Sequence, residues 1–308
     1  MWGLEPMRNK TISWLRYKVV ASSGFLPESR FKDFLRRQFY RRLNPLYRLS
    51  EIVNKMELQG KELLVELNNG IRYYGHGEEA LHPLMKYGDP VKLREISQFR
   101  HFCGLLGTIC EQYVEDVYGR YYELRDGDIV IDAGAHVGVY TVKAAKAVGK
   151  LGMVIAIEPE ANNLYFLKRN IAANGLKNVI VVPKGLWDHK DKLRLQLSKI
   201  STSAHSLFTN PSVSSEFEVV EVDTLDNILN ELGIKRVDFV KMDIEGAETV
   251  SLTGMAETLQ SNNTLKLAIA AYHTVGGKTT AKTIASKLKN RDFEIRAEAG
   301  IVYAAKRV

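Results

Sequence analysis

The fold is decided by two neighbouring stretches, Asp128-Ile-Val-Ile-Asp-Ala-Gly-Ala-His-Val-Gly-Val-Tyr-Thr141 and Val154-Ile-Ala-Ile-Glu-Pro-Glu160. The first is a short apolar run that ends in Asp132, continues through a glycine turn and becomes a helical pattern. The second is another apolar run, and it ends in Glu158. This order predicts strand, tight turn, helix, strand and acid, which is one half of a nucleotide-binding βαβ unit.

The turn restricts the ligand that this unit can bind. A dinucleotide site uses three glycines in a G-x-G-x-x-G run, so that the backbone can approach a pyrophosphate. Here Asp132 stands two residues before Gly134, where its negative charge would repel a pyrophosphate. A carboxylate instead suits a cationic ligand, such as the ammonium and sulfonium groups of S-adenosylmethionine. The turn therefore predicts S-adenosylmethionine as the cofactor and favours a methyltransferase.

The remaining pattern predicts an α/β fold. We predict strands over 129–132, 153–158, 179–182, 237–242 and 265–271, helices over 138–148, 161–174, 224–232, 247–260 and 278–290, and a hairpin-like excursion over 192–222. Alternating strands and helices imply a parallel sheet with right-handed crossovers. Two final strands, 293–297 and 301–306, are joined too tightly for a crossover and must be antiparallel. The prediction is a Rossmann-like methyltransferase sheet, mostly parallel, with a C-terminal antiparallel hairpin.

The chain divides into two predicted regions. Residues 1–110 form a basic, mainly helical N-terminal extension, with a small hairpin around the turn dipeptide Asn69-Gly70. Residues 111–308 form the S-adenosylmethionine-binding methyltransferase domain.

The net charge of +7 lies in the first 50 residues, which hold eleven basic and three acidic side chains. Between Arg30 and Leu49, apolar residues recur at helical spacing and arginines fill much of the rest, which predicts a basic amphipathic helix. Three interpretations are open. The helix packs on the body with its arginines in water, lies on an anionic membrane surface, or contacts RNA. We favour packing on the body.

Composition excludes several classes of protein. The chain has 308 residues, of which 45% are hydrophobic, so it can bury one large core or two smaller ones. No stretch approaches the roughly 20 uninterrupted apolar residues of a membrane span, and no secretion signal pattern is present. Cys103 and Cys110 lie too far apart along a helix to pair with each other. We expect a cytoplasmic protein, with membrane association and oligomeric state left open.

The predicted cofactor residues all end or follow strands, so they should meet at one rim of the sheet. Gly134 and Gly138 let the backbone approach the ligand, and His136 lies in the turn between them. Glu158 can accept hydrogen bonds from both ribose hydroxyls. Asp188, after the third strand, is a candidate acceptor for the adenine amine. Together with Asp132, these residues form the expected cofactor site.

The predicted catalytic residues follow two later strands. Asp243 ends the strand that precedes Glu245-Gly246, and its carboxylate and that of Glu245 are suited to anchor the ligand's amine, take a proton from a hydroxyl or bind a cation. His273 follows the next strand, and its imidazole titrates near neutrality, which makes it a candidate general base. Lys241 is expected to pair with one of these acids. We assign no metal ligands from the sequence.

Four blocks together resemble the FkbM-type methyltransferase family over about residues 112–275. They are 128–141, 157–170, Val222-Asp-Thr-Leu-Asp226 and Asp238-Phe-Val-Lys-Met-Asp-Ile-Glu-Gly-Ala-Glu248. The resemblance implies the fold described above, S-adenosylmethionine as cofactor, and methylation of hydroxyl oxygens on sugars, polyketides, lipids or related metabolites. His136 stands where the family usually has Asn, and the acid that often precedes the family's histidine is absent before His273.

We therefore expect an S-adenosylmethionine-dependent O-methyltransferase acting on a small-molecule, glycan or lipid acceptor. Two alternatives remain at this point. One is an RNA methyltransferase guided by residues 1–50, against which no Asn-Pro-Pro-aromatic signature of amino-group methylation is found. The other is a non-catalytic binding protein that retains the fold. The segment Ser198–Ser215, rich in Ser and Thr, is either a lid over the substrate or a plain surface loop.

Overall fold

The computed structural model describes Leu49 and residues 51–77, 104–198, 202–208 and 215–307. The chain starts with a three-stranded antiparallel sheet of β1 (Val53–Gln59), β2 (Glu62–Leu67) and β3 (Arg72–His76). The hairpin predicted around Asn69-Gly70 joins β2 to β3. The predicted helix over 30–49 lies outside the described residues except for Leu49, and so does Cys103, whereas Cys110 is buried.

A seven-stranded sheet forms the centre of the molecule. Its strands in chain order are β4 (Ile129–Ala133), β5 (Met153–Ile157), β6 (Val179–Val182), β10 (Phe239–Met242), β11 (Lys266–Ala270), β14 (Phe293–Glu298) and β15 (Ile301–Lys306). Their spatial order is β14-β15-β11-β10-β4-β5-β6. The five strands from β11 to β6 are parallel, and β15 runs antiparallel to both of its neighbours. This arrangement confirms the predicted fold class.

The strand order places the functional rim. From β4 the chain moves outward through β5 to β6 and then returns to β10 on the other side of β4. Ligands bind beyond the carboxyl ends of parallel strands where the order reverses in this way. Apolar side chains from both faces of the sheet are fully buried, for example Ile131 and Val240 on one face and Val130 and Phe239 on the other.

Helices cover both faces of this sheet, and those over 138–148, 161–174 and 224–232 agree with the sequence prediction. They are α1 (Gly104–Ile109), α2 (Val139–Ala147), α3 (Ala161–Ala173), α4 (Leu225–Glu231), α5 (Glu248–Ser251), α6 (Ala256–Ser261) and α7 (Ala281–Lys289). Glu160 caps α3, because its carboxylate accepts hydrogen bonds from the backbone N–H groups of Asn162 and Asn163. A π-helix, Cys110–Glu115, continues directly from α1.

The prediction of one helix over 247–260 is wrong, because Gly254 separates α5 from α6. A Cβ at Gly254 would lie 2.2 Å from the carbonyl oxygen of Trp187. The Gly254 carbonyl also accepts a hydrogen bond from the backbone N–H of Asp226. The helix is interrupted where Gly254 approaches Trp187 and the start of α4, and a helical periodicity carries no signal for such tertiary contacts.

The excursion between β6 and α4 forms a second small sheet. Its strands are β7 (Gly185–Leu186), β8 (Asp191–Gln196) and β9 (Phe217–Asp223) in the order β7-β9-β8. The antiparallel pairing of β8 with β9 agrees with the predicted hairpin over 192–222. A further short hairpin, β12 (Thr274–Val275) with β13 (Lys278–Thr279), precedes α7, which therefore begins later than predicted.

The N-terminal sheet shares a hydrophobic core with the central domain. Buried side chains of β2 and β3 pack in one cluster with Leu106 and Ile109 of α1 and with Val139 and Val142 of α2. Asn170 of α3 adds a polar link, since its side-chain amide donates to the carbonyls of Val137 (2.7 Å) and Tyr74 (2.9 Å) and accepts from the Tyr74 N–H (2.6 Å). The described strands of the N-terminal region therefore pack on the same core as α1 and α2. Within the described part of the chain, no helix has the length and apolar character needed to cross a bilayer.

Candidate active site

The glycine turn after β4, residues 134–138, packs closely against the residues that follow β10. Gly134 has φ +73°, and a Cβ there would lie 1.8 Å from the carbonyl oxygen of Asp243. Gly138 has φ +86° at the start of α2, where a Cβ would lie 2.5 Å from Leu167 Cδ1. Both positions therefore require glycine, for conformation and for space. The close approach brings the turn next to the acidic residues that follow β10.

The structure places Asp132 beneath the turn, not at the ligand-facing surface. Its side chain is fully buried, lies 3.1 Å from Lys241 Nζ and accepts a 2.5 Å hydrogen bond from the Thr141 hydroxyl. Lys241 also donates to the carbonyl of Gly134 at 2.6 Å. Burial acts to lower the pKa of Lys241, but Asp132 and Asp243 outweigh it and raise that pKa. Lys241 thus pairs with Asp132, and not with Asp243 or Glu245 as expected, and the pair supports the turn.

Glu158 forms one end of a cavity at the rim. Its Oε2 accepts from the backbone N–H of His136 (2.8 Å), and its Oε1 accepts from Glu160 N–H (3.1 Å) and Asn163 Nδ2 (3.3 Å). Burial raises the pKa of Glu158 to about 7, and these donors only partly oppose the shift. His136 has φ +52°, and burial lowers its pKa to about 3, so its imidazole is neutral.

The acids after β10 form the opposite end. Asp243 accepts a 2.8 Å hydrogen bond from the buried Tyr118 hydroxyl and contacts the Tyr272 hydroxyl at 3.3 Å. Glu245 has φ +53°, and burial raises the pKa of its carboxyl. A strained backbone position for an acidic residue next to a cavity is typical of functional sites.

His273 is surrounded by carboxylates. Its Nε2 lies 3.3 Å from Glu245 and 3.5 Å from Asp243, and its Nδ1 lies 2.9 Å from the fully buried Glu248. Burial alone would lower the pKa of His273, but Glu245 and Glu248 outweigh burial and raise it to about 10. The imidazole is therefore charged at neutral pH and cannot serve as a general base in this state.

Two acids of this site were not assigned from the sequence. The sequence pattern assigned no role to Glu248, although it is the last acid of the same Asp-Ile-Glu-Gly-Ala-Glu run. Glu111 belongs to the π-helix, and burial followed by the charge of Asp243 raises its pKa to about 7. No motif marks Glu111, because its position depends on a π-helix that hydrophobic periodicity does not reveal.

The described part of the Ser198–Ser215 segment forms the outer wall of the cavity. The Thr202 hydroxyl lies 2.8 Å from His136 Nε2, and the Thr202 carbonyl accepts from Asn163 Nδ2 at 3.2 Å. At the other end, the Ser206 hydroxyl donates to the Glu245 carbonyl at 2.7 Å. Residues 202–208 therefore contact both ends of the cavity.

The cavity brings together five of the predicted residues, Gly134, His136, Glu158, Asp243 and Glu245. His273 and Gly138 lie behind this lining, and Asp132 lies beneath it. Asp188 is not brought to the cavity, since its carboxylate is half-exposed and lies 2.6 Å from Nδ1 of the exposed His189. The adenine contact of Asp188 stays a prediction that this placement does not favour.

The lining fits S-adenosylmethionine. At the Glu158 end, the buried atoms His136 Nδ1 and Asn163 Oδ1 have no hydrogen-bond partner among the described residues, which leaves polar capacity for a ribose. At the other end, the carboxylates of Asp243 and Glu245 suit a positively charged sulfonium or ammonium group. Polar ends of this kind match a nucleoside that carries a cationic tail.

Comparisons with known proteins identify similar methyltransferases. The sequence profile of the methyltransferase FkbM domain matches residues 132–295. Protein-L-isoaspartate O-methyltransferase 1 of Archaeoglobus fulgidus is 31% identical over 75 residues, which are 24% of this chain and 35% of that protein. The match thus spans about a third of the length of this curated relative.

Solved structures of methyltransferases are similar at low identity. Methyltransferase FkbM from Methylobacillus flagellatus KT aligns with 16% identity and a TM-score of 0.44, covering 88% of this chain and 60% of that one. Fibrillarin of Aeropyrum pernix, crystallised with natively bound S-adenosylmethionine, aligns with 14% identity and a TM-score of 0.40, covering 82% of this chain and 98% of that one.

The chain belongs to the methyltransferase FkbM family, because the family profile covers more than half of it. This membership confirms the family and the cofactor, S-adenosylmethionine, that the sequence predicted.

Proposed function

We propose that the protein is an S-adenosylmethionine-dependent O-methyltransferase that acts on a hydroxyl group of a small molecule, sugar or lipid. The observation that carries the proposal is the arrangement of Asp243, Glu245 and His273 at the end of the cavity opposite Glu158. An ether-forming transfer needs a group that removes one proton from the acceptor, and this end of the cavity supplies carboxylates for it.

The cofactor residues have separable tasks. Glu158 accepts hydrogen bonds from the ribose, and Asn163 offers a further acceptor beside it. The turn at Gly134 allows close approach of the backbone, while the Asp132–Lys241 pair holds that turn in place. When bound, the cofactor supplies a methyl group on a positively charged sulfur. The sulfur is the leaving group and keeps the electron pair of the broken carbon–sulfur bond. Alignment of the acceptor with this methyl group is the main contribution of the protein.

The proton acceptor in this proposal is a carboxylate, with Glu245 as first candidate. Burial raises the pKa of Glu245 towards the range in which a carboxylate accepts a proton readily. The charged His273 lies 3.3 Å from Glu245 and 3.5 Å from Asp243, so it orients both acids and does not take the proton itself. The acceptor hydroxyl gives its proton to Glu245 as its oxygen bonds to the methyl carbon.

Calorimetry with S-adenosylmethionine tests the cofactor assignment. We expect Glu158→Ala to weaken binding about tenfold or more, because two ribose hydrogen bonds to a charged acceptor are lost. The matched variant Glu257→Ala removes an exposed carboxylate outside the cavity and should bind like the unmodified protein. Equal affinity of all three proteins would overturn the assignment of Glu158.

Transfer of a labelled methyl group to fractions of a cell extract tests the reaction class. A labelled small molecule with a new ether would support the proposal, whereas label in RNA or in an amine would contradict it. Donor binding without any transfer would favour the non-catalytic alternative. The eleven basic side chains among the first 50 residues favour RNA as the second candidate acceptor. In that case RNA binding would fall steeply with salt and would be lost on deletion of those residues.

A further inference from the structure

Asp243, Glu248 and His273 form a convergent set of donors next to the cavity. One donor atom from each residue lies within 4.8 Å of the corresponding atoms of the other two. The side chain of Glu248 is fully buried, that of His273 is 9% exposed and that of Asp243 is 19% exposed. The three residues come from the ends of β10 and β11 and from α5, so the packed sheet fixes their positions.

The histidine and the buried acid are not satisfied by hydrogen bonds. Both nitrogens of His273 lie 2.9–3.5 Å from carboxylate oxygens, but none of these contacts has hydrogen-bond geometry. Glu248 Oε1 accepts from the backbone N–H groups of Ile244 (3.1 Å) and Gly246 (3.2 Å), whereas Oε2 has no partner among the described residues. Buried polar atoms of this kind indicate a ligand that completes the set.

The local charge is also unbalanced. Three carboxylates, from Asp243, Glu245 and Glu248, surround a single imidazole. Lys241 lies close by, but it is committed to Asp132 and to the carbonyl of Gly134. Buried carboxylates without matching cations are costly, and a metal ion is one way in which proteins compensate them.

We propose that Asp243, Glu248 and His273 bind a divalent cation of the Mn²⁺ or Mg²⁺ type. Two carboxylates and one imidazole are donors that Mn²⁺ accepts, and carboxylate and solvent oxygens suit Mg²⁺. The imidazole coordinates in its neutral form, so the cation displaces the proton that His273 carries in the free site. The role of the cation rests on the proposed function: it holds the acceptor hydroxyl and stabilises the negative charge that develops on its oxygen. Glu245 stays available to receive the proton. The binding site itself does not depend on the reaction.

Titration of the full chain with Mn²⁺ tests the site. After dialysis against a chelator, free Mn²⁺ is followed by electron paramagnetic resonance. We expect one saturable site per chain in the unmodified protein, and a loss of affinity of about tenfold or more in Glu248→Gln. This variant keeps an acceptor for the N–H groups of Ile244 and Gly246 but removes the charge. Glu257→Gln, the same change at an exposed position of α6, is the control and should bind like the unmodified protein.

The outcomes separate the two proposals. No saturable binding in the unmodified protein, or equal affinity in Glu248→Gln, would overturn the cation site. If Glu248→Gln does not fold by circular dichroism, Asp243→Asn replaces it with the same expectation. Calorimetry with S-adenosylmethionine is run on the same samples. A protein that binds Mn²⁺ here but no cofactor would contradict the proposed function and keep the cation site, and the reverse result would contradict the cation site alone.

Discussion

At the scale of single residues, the ribose binding proposed above depends on the ionisation of Glu158. A carboxylate is a strong acceptor for two hydroxyl groups only when it carries its charge. Burial nevertheless raises the pKa of Glu158 to about 7, so in the free protein this residue is partly protonated near neutrality. The proposed role of Glu158 therefore links cofactor binding to proton release at this residue.

This linkage predicts a pH-dependent affinity for S-adenosylmethionine. Hydrogen bonds from the ribose stabilise the charged form, so the pKa of Glu158 is lower in the complex than in the free protein. Affinity should therefore increase with pH up to about 7 and then level off, as calorimetry between pH 5.5 and 8.5 would measure. In Glu158→Gln, the affinity for S-adenosylmethionine should be low and should no longer change with pH. A rise that persists in this variant would show that another group is responsible.

The raised pKa of Glu158 also makes the folding stability depend on pH, and in the opposite direction: stability falls as the pH rises. Because the pKa of Glu158 is higher in the folded chain than in the unfolded chain, folding favours its protonated form. The contribution is therefore fully present below about pH 4.5 and is lost as the pH rises through about 7.

At the scale of elements, the contact between β4 and β10 depends on a buried ion pair. Asp132 is paired across these neighbouring strands with Lys241, and the lysine also holds the first carbonyl of the glycine turn. A buried pair contributes little compared with apolar residues, but removal of one partner leaves an uncompensated charge.

We therefore predict that Lys241→Met destabilises the protein by about 3–5 kcal/mol. The double variant Asp132→Asn with Lys241→Met should recover a large part of this loss, because no buried charge is left. Urea denaturation followed by circular dichroism would measure the free energies of unfolding. Additive effects of the two substitutions would contradict a direct pair, since residues in contact should be strongly coupled.

The strands were predicted from the sequence more accurately than the helix break or the directions of the site side chains. The strands around Asp132 and Asp243 were found within one or two residues, because continuous apolar runs that end in an acid are distinctive. The break at Gly254 was missed, since it results from contacts with Trp187 and Asp226 that lie far away in sequence. Glu158, His136 and Asp243 reach the cavity because strand ends share one rim.

Positions beside that rim were harder to predict. The side chain of Asp132 points under the turn, and Asp188 turns to His189 in solvent, because spacing alone does not determine side-chain direction. Glu248 and Glu111 reach the site through a helix start and a π-helix. Neither placement follows from the order of motifs along the chain.

At the scale of the whole molecule, Asn170 joins the N-terminal sheet to the cofactor turn. Its fully buried amide satisfies the backbone of Tyr74 in β3 and the carbonyl of Val137 in the turn. We predict that Asn170→Ala destabilises the protein by about 3 kcal/mol, because several buried backbone groups lose their partners. Denaturation would measure this loss. The control Asn230→Ala changes an exposed asparagine in α4 and should have an effect of less than about 0.5 kcal/mol.

The Asn170 side-chain amide should also couple the local unfolding of β3 to that of the turn at 134–138. Tyr74 and Val137 are far apart in sequence, yet their backbone groups are protected by one side chain, so a local opening that frees one exposes the other. In hydrogen–deuterium exchange, the amides of β3 and those of the turn at 134–138 should therefore exchange as one cooperative unit. Bound cofactor should slow exchange in both, so that protection gained at the cavity extends to the N-terminal sheet, none of whose strands lines the cavity.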